Sequence, residues 1–410
     1  MPVSEQVMIT GHLLDTGVLA DVLDDVYDYG GWYVVDAVHA GRTHDDESHA
    51  LLTVSAESEA ALVPLLMRIQ RHGVNTVQPG ELVVREADCD GAFPADFYAT
   101  TNLETVVHLD GGWVPVERPE SGCALLVSGE RVRTVPVEAV RTGMRIVCGV
   151  GGVRVVPPLA AHRPSEAGLG ALSSTASGEH SQPDLVRQVA QRLRECKTDG
   201  HRVLWVLGPA VVSADAGPAL ARLVRAGFVD GVVAGNAVAA ADIEAAVSGV
   251  RTTSLALSAT DPAPERRVRA VNAVRRAGGL TEAVREGIVV AGLMHTVVEA
   301  AVPLVLVGSV RDKSALPDTH TDLLAALEAM RAAVRGVGLA IVVASADTAG
   351  AVVGLLPESV PVVAVDLDAR VTADLLGRPR PSRLQVTADA GLFCATLAQL
   401  LLGPEPDPSA

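Results

Sequence analysis

Aromatic residues are nearly absent from this chain: four Phe, four Tyr and three Trp make up 3% of its 410 residues. A core without rings must be built from many small aliphatic contacts, which favours close packing of helices on a sheet. Cysteine is sparse as well. Cys89, Cys123, Cys148, Cys196 and Cys394 are scattered without a CxxC pair, which argues against a disulfide framework or a zinc site and for free thiols in a reducing cytoplasm. Long apolar runs are missing: stretches such as AAVPLVLVGSV stop short of the ~20 residues a membrane helix needs. The first residues also lack the basic, apolar and small-residue order of a signal peptide. Positive charge is scarce, with 33 Lys plus Arg against 49 Asp plus Glu. The resulting net charge of −16 repels phosphate backbones and excludes nucleic acid as the expected partner.

What remains is a chain 49% hydrophobic and long enough for a large core in two or three domains. Residues 1–87 alternate β-like runs (VMITGHLL, WYVVDAVHAG, HALLTVSA) with helical ones (LADVLDDVYDYG, SEAALVPLLMRIQRHG), an order that predicts a ferredoxin-like α+β domain. Residues 88–156 are strands and turns, with Asp110-Gly111-Gly112 and Ser128-Gly129 as hairpin signals, and predict a small β unit. Residues 157–184 are rich in Pro, Ser, Gly and Glu and read as a linker or as a loop covering a site. In residues 185–403 the runs HRVLWVLG, FVDGVVAG, AVPLVLVGS, GLAIVVAS, VPVVAVDLD and RLQVTA alternate with helical segments. Strands without polar alternation are buried on both faces, so the fold class is α/β, a Rossmann-like parallel sheet, followed by a short tail at 404–410.

In open sheets of this kind ligands bind beyond the carboxyl ends of the strands. Six groups fall there: Gly208-Pro209-Ala210; Gly235-Asn236-Ala237; Gly308, Ser309, Arg311 and Asp312; Ser345 with Asp347; Asp366 with Asp368; and Thr387 with Asp389. Glycines let backbone approach a ligand, and the helix N-termini that follow offer free N–H groups. An acid at a strand end is the group expected to accept hydrogen bonds from ribose hydroxyls, and Asp366 leads.

Each signal has a plainer reading. Gly-Asn is also turn and cap chemistry, Asp389 also a helix cap, and Arg311-Asp312 also a local ion pair. Asp242 and Glu244 on an Ala-rich helix read first as a solvated face. The GxGxxG fingerprint is absent, since the glycines at 149–152 lie in the β unit. The histidines His12, His39, His44, His49, His72 and His108 show no metal spacing, and His44-Asp45-Asp46-Glu47 reads as a solvated loop, so no metal is expected. The segment APERRVRAVNAVRRAGG, with Arg266, Arg267, Arg269, Arg275 and Arg276, is either an internal salt-bridging face or an anion site.

The order of motifs resembles the archaeal-type ornithine cyclodeaminases, over nearly the whole chain. GHLLDTGVLADVLDDVYDYGGWY, DGAFPADFYATTN, GGWVPVE and GGVRVVP carry the likeness in the first half. LGPAVV, LVRAGFVDGVVAGNAVAAADIEAAVSG, RAVNAVRRAGG, VPLVLVGSVRDKSALPDTHTD and TADAGLF carry it in the second. The same N-terminal domain occurs in plant lysine-ketoglutarate reductase/saccharopine dehydrogenase proteins, and the same second half in cyanobacterial bifunctional arginine dihydrolases. The resemblance implies a Rossmann-like domain of the deoxyhypusine-synthase type that holds NAD without a GxGxxG loop, and a homo-oligomer. It further implies an NAD-dependent reaction on ornithine or a related amino acid: hydride abstraction, ring closure onto an imine, loss of ammonia and hydride return.

The resemblance also implies histidines where this chain has Leu103, Ala241 and Thr348, a Gly-His-Arg segment where it has PERRV, and a cysteine where it has Thr134. Side chains of alanine and leucine neither donate nor accept a proton. The alternative expectation is therefore an NAD-binding relative without cyclodeaminase activity, acting as a regulator or partner protein. Gly208, Pro209, Ala210, Gly235, Asn236, Ala237, Gly308, Ser309, Ser345, Asp366 and Asp389 are expected to bind the cofactor. Asp242, Arg311 and Asp312 are expected to handle substrate and protons, with Asp318 as a further polar candidate.

Overall fold

The computed structural model describes residues 2–11, 18–41, 48–156, 182–248, 264–312, 315–377 and 382–404. They fall into two compact units, Met1–Gly168 with Gly354–Ser359, and Leu169–Val353 with Val360–Ala410.

The first unit opens with β1 (Val3–Gly11), α1 (Val18–Asp28), β2 (Trp32–His39), β3 (Ser48–Ala56), α2 (Glu59–Gln70) and β4 (Asn75–Thr76). In β1, Val7 and Ile9 face inward while Gln6 and Met8 face outward, the period of a half-buried strand. In α2, Leu62, Leu65, Leu66 and Ile69 line one buried stripe at helical spacing. The strands pair antiparallel in the order β2-β3-β1-β4, the ferredoxin-like arrangement.

β5 (Val83–Glu86), β6 (Thr105–Leu109), β7 (Gly112–Glu117), β8 (Ala124–Ser128), β9 (Arg131–Val135), β10 (Arg145–Cys148) and β11 (Val153–Val155) build a second sheet, ordered β11-β6-β7-β9-β8-β10-β5. Asp110 (φ 50°) and Gly111 (φ 84°) both adopt the left-handed region, as a tight hairpin turn requires. Strand β5, though within residues 1–87, is the edge of this second sheet, because its backbone pairs with β10. Leu65, Ile69 and Val74 share one apolar cluster with Val107, Leu125 and Val147, so both sheets are built on a common core.

The second unit contains α3 (Gln182–Thr198), β12 (Arg202–Leu207), α4 (Ala210–Ser213), α5 (Gly217–Arg225), β13 (Gly231–Gly235), α6 (Asn236–Ser248), α7 (Pro264–Ala277), α8 (Leu280–Arg285) and α9 (Leu293–Glu299). It continues with β14 (Leu304–Val307), β15 (Thr319–His320), α10 (Leu323–Ala333), β16 (Val337–Val343), α11 (Asp347–Leu355), β17 (Val362–Asp366), α12 (Ala369–Leu376), β18 (Arg383–Thr387) and α13 (Ala390–Leu402). Its seven strands are all parallel, ordered β15-β14-β13-β12-β16-β17-β18. The six apolar runs of the sequence are six of these strands; the seventh, β15, has only two residues and no periodicity to betray it. Five of the six residues of β12 and six of the seven of β16 are buried, as a sheet covered on both faces demands. Trp205, fully buried in β12, satisfies its ring N–H by donating to the Phe228 carbonyl at 3.0 Å.

Of the stretch expected as a linker, residues 157–181 lie outside the described residues, and Gln182–Asp184 already form the first turn of α3. His12, the acidic run at 44–47 and residues 405–410 of the tail also lie outside them. No helix among the described residues is long and apolar enough to cross a membrane.

Candidate active site

Because every strand of the second unit is parallel, the residues after β12, β13, β14, β16, β17 and β18 share one edge. The chain runs outward from β12 through β13, β14 and β15, then returns to β16 on the other side of β12. In open parallel sheets such a reversal is where the ligand crevice forms.

Gly208 lies at its base. Its N–H donates to the Val343 carbonyl at 2.8 Å, and a β-carbon on it would collide with the Ala344 carbonyl oxygen and with the Ser345 α-carbon. Ala344 itself has φ 49°, a strained conformation for a residue with a β-carbon, and nothing in its sequence context signals it. Pro209 and Ala210 start α4 immediately beyond Gly208. Gly235 differs in kind. It has neither a positive φ nor a neighbour within 4 Å of a β-carbon built on it, so its lack of a side chain leaves open space at the strand end. Ala237 follows in the first turn of α6.

The side chain of Asn236 is buried, and its Oδ1 accepts the Leu316 N–H at 3.0 Å and the Thr319 hydroxyl at 3.1 Å. It ties the end of β13 to the segment entering β15. After β14, a β-carbon on Gly308 would sit 3.2 Å from the His320 carbonyl oxygen, and Ser309, Arg311 and Asp312 form a closed turn. In that turn Asp312 Oδ2 accepts the Ser309 N–H at 2.8 Å and Ser309 Oγ accepts the Arg311 N–H at 3.2 Å. Ser345 is buried beside Ala344.

Asp366 ends β17. Its Oδ1 accepts the Asp368 N–H at 2.9 Å, and Asp368 in turn caps α12 through the Arg370 N–H. Asp389 caps α13, accepting the Leu392 N–H at 3.0 Å, the plainer of its two readings. Asp318 accepts the Leu280 N–H at 2.9 Å, at the start of α8.

The structure separates Asp242 from the strand-end residues. It lies in the second turn of α6, where Oδ1 accepts the Leu293 N–H at 3.0 Å and Oδ2 the Met294 N–H at 2.8 Å, capping α9 from a neighbouring helix. Burial pushes its carboxyl above the ordinary value, against the lowering effect of those two amides. Gly292 (φ 98°) precedes the cap, and a β-carbon there would meet Asp242 Oδ2 at 2.7 Å. Glu244 is buried as well and pairs with Arg267 Nε at 3.0 Å. The Asp242–Glu244 segment is therefore not a solvated face: α7 and α9 pack over it. Of the arginine-rich α7, Arg267 takes the salt-bridging role.

Two of the positions where the resemblance implied histidines, Leu103 and Ala241, are buried and apolar. Thr134, in place of the implied cysteine, donates its hydroxyl to the Arg118 carbonyl at 2.6 Å. Sequence reading missed Arg222, Arg225 and Thr296, which line a cavity beside Asp242. The one available signal was a pair of arginines at i, i+3 in an acidic chain.

Comparison with known proteins agrees with this architecture. Residues 187–397 match the family described as arginine dihydrolase ArgZ-like, C-terminal, Rossmann fold. Residues 104–186 match its first region, and residues 4–103 the LOR/SDH bifunctional enzyme conserved region. An ornithine cyclodeaminase of Methanopyrus kandleri is 35% identical over 406 residues, covering 97% of each chain. The apo structure of ArgZ, an arginine dihydrolase from the ornithine–ammonia cycle in cyanobacteria, matches with TM-score 0.83 at 28% identity, over 98% of this chain and 58% of that one. The ternary complex of AgrE with ornithine and NAD+ matches with TM-score 0.51 at 28% identity, over 98% of this chain and 57% of that one. This chain thus spans little more than half the length of the bifunctional proteins and nearly all of the archaeal relative. It belongs to the family that comprises the archaeal ornithine cyclodeaminases and the C-terminal part of the ArgZ-like arginine dihydrolases.

Proposed function

We propose that the chain is an NAD-dependent ornithine cyclodeaminase-type enzyme whose crevice at the β12/β16 reversal holds the dinucleotide. The observation that carries this reading is Gly235, a glycine at a strand end that neither turn geometry nor packing demands and that leaves open space at the crevice. The residues present suit the group. The long helix α6 begins at Asn236, directly after β13, and first-turn amides of such a helix suit a pyrophosphate. Asp366 Oδ1 is engaged by the Asp368 amide, whereas its Oδ2 takes no hydrogen bond among the described residues and suits the ribose hydroxyls. Bound NAD supplies a hydride acceptor and donor for the substrate α-carbon.

The chain's own residues bind, orient and enclose. The Gly208–Ala344 contact fixes the floor, and Asn236 holds the β13 loop in place through Leu316 and Thr319. The exposed Arg311 suits an amino-acid carboxylate, while Asp312 is occupied in holding the Ser309 turn. The net reaction converts ornithine into proline and ammonia. The relatives named ornithine cyclodeaminase, and the AgrE complex with ornithine and NAD+, support this reading. The free cysteines support a reducing cytoplasm, with a homo-oligomer as the working assembly.

A specific observation favours a second reading, in which dinucleotide is bound without turnover. Ala241 and Leu103 are buried apolar residues, and both oxygens of Asp242 are committed to capping, so none of the three offers a free proton-transfer group. Incubation with NAD and L-ornithine separates the two: ammonia and proline support the enzyme, and bound NAD without either product supports the binding protein.

A further inference from the structure

Closing a ring onto an imine and expelling ammonia moves a proton twice. The substrate α-ammonium must lose one before a hydride can leave its carbon, and the same nitrogen must regain one before it departs as ammonia. Histidine is the side chain suited to both tasks near neutral pH. The residues already placed cannot serve: Ala241 and Leu103 are apolar, and both oxygens of Asp242 hold amides. Among the described residues of the second unit the histidines are His201, His295 and His320. His201 precedes β12, at the opposite edge of the sheet, and His295 Nδ1 of α9 lies 3.2 Å from Glu299 Oε2. His320 alone ends a strand, on the edge that carries Gly208, Gly235 and Gly308.

Its surroundings join it to the groups assigned to the substrate. The Gly308 N–H donates to the His320 carbonyl at 2.9 Å, and β15 pairs with β14 through His320 and Val307. A β-carbon on Gly308 would lie 3.2 Å from the His320 carbonyl oxygen, so glycine lets the two strand ends meet. The turn that carries Ser309, Arg311 and Asp312 therefore leaves β14 beside His320, at the ~4.8 Å spacing of neighbouring strands. Thr319, one residue earlier, uses its hydroxyl on Asn236 at 3.1 Å. Alternation along the strand turns the His320 side chain to the other face, away from that bond. The residue is half-buried, and neither ring nitrogen takes a hydrogen bond or ion pair among the described residues.

We propose that His320 is the proton-transfer residue of the ornithine reaction, in contact with the substrate α-nitrogen. The assignment rests on the cyclodeaminase reading. The neutral imidazole takes a proton from the α-ammonium, and the freed lone pair forms a C=N bond as the α-carbon gives up its hydride to NAD+. The δ-amine, present as free base, adds its lone pair to that carbon, and its surplus proton passes to water. The imidazolium returns its proton to the α-nitrogen, which departs as ammonia with the electrons of its C–N bond. The lone pair of the ring nitrogen then forms the cyclic C=N that receives the hydride back, and a proton from water completes proline. His320 ends as it began.

The full chain loaded with NAD provides the test. His320→Gln should lower kcat for proline and ammonia at least about a hundredfold, the size of a general acid–base contribution, while NAD affinity by fluorescence titration stays unchanged. Imidazole in the buffer should restore part of the turnover of His320→Ala and add nothing to the wild type, an effect that a structural role would not produce. In NMR spectra of histidine-labelled wild type, the ring signal missing from His320→Gln should shift when L-ornithine is added to the NAD-bound protein. The proposal is overturned if His320→Gln keeps more than about a tenth of the wild-type rate, if its NAD affinity falls in step with the rate, or if the ring signal ignores L-ornithine. A wild type that binds NAD and forms neither proline nor ammonia removes the cyclodeaminase reading and this assignment together. Each of the other three results, with an active wild type, removes the assignment alone.

Discussion

The α-carbon of Gly208 packs against the carbonyl oxygen of Ala344 so closely that no β-carbon fits between them. This contact joins the ends of β12 and β16, the two strands between which the chain reverses direction across the sheet. Gly208→Ala forces the two loops apart. It is expected to cost about 1–3 kcal/mol of stability, the usual range for overpacking, and to abolish dinucleotide binding in the same variant. Thermal melts and NAD titration by fluorescence check both.

Gly235 gives the opposite combination. Space is open where its β-carbon would be, and its backbone is in an ordinary region. Gly235→Val should leave the melting temperature within the range of a ±0.5 kcal/mol surface change while weakening NAD at least tenfold. Equal loss of stability in the Gly208 and Gly235 variants would show that Gly235 serves packing and not a ligand.

Asp366 tests the cofactor's ribose end. Asp366→Ala removes a charged acceptor whose hydrogen bonds are each worth about 1.5–3 kcal/mol, so NAD affinity should fall roughly ten- to hundredfold. Competition titrations with NAD and adenosine monophosphate give the number. An unchanged affinity places the ribose elsewhere.

Asp242 is a cap held in a low-dielectric setting. Asp242→Ala leaves the Leu293 and Met294 amides without an acceptor and should cost about 0.5–2 kcal/mol. Its folded-state pKa is raised, so the folded protein holds the proton more tightly than the unfolded chain. Its contribution to stability therefore falls as pH rises from the unfolded value, ~3.9, through the folded one. Urea midpoints across that window should show a smaller decline with rising pH in Asp242→Asn than in the wild type.

Asp25 in the first unit carries the reverse sign. Burial raises its pKa, but hydrogen bonds from Arg68 Nε at 2.9 Å and His72 Nε2 at 2.7 Å outweigh that effect and hold its carboxyl below the ordinary value. That stabilisation is fully present above the unfolded pKa and is lost as pH falls through the lower, folded one. Asp25→Asn should therefore lose stability at neutral pH and flatten the acid limb of the pH–stability curve, as followed by circular dichroism.

The strands of the second unit were legible because burial on both faces leaves unbroken Val, Leu and Ile runs, as in RVLWVL and VGLAIVV. Of the candidate site, the backbone features were the legible part. Gly208 and Gly308 announce close backbone approach by their type, and Gly235 leaves space open at the end of its strand. The environment of Asp242 was not legible, because the amides it caps come from residues 293 and 294, some fifty positions onward, and no local pattern encodes that contact.

In the proposed reaction the chain converts ornithine by taking a hydride from the α-carbon and returning it. L-ornithine deuterated at the α-carbon, incubated with the purified chain and NAD, provides the most direct measurement. Proline and ammonia are expected in equal amounts, with the deuterium recovered at the proline α-carbon and no net NADH. Failure to form proline or ammonia while NAD is bound, or proline from which the deuterium has been lost, would contradict the proposed reaction.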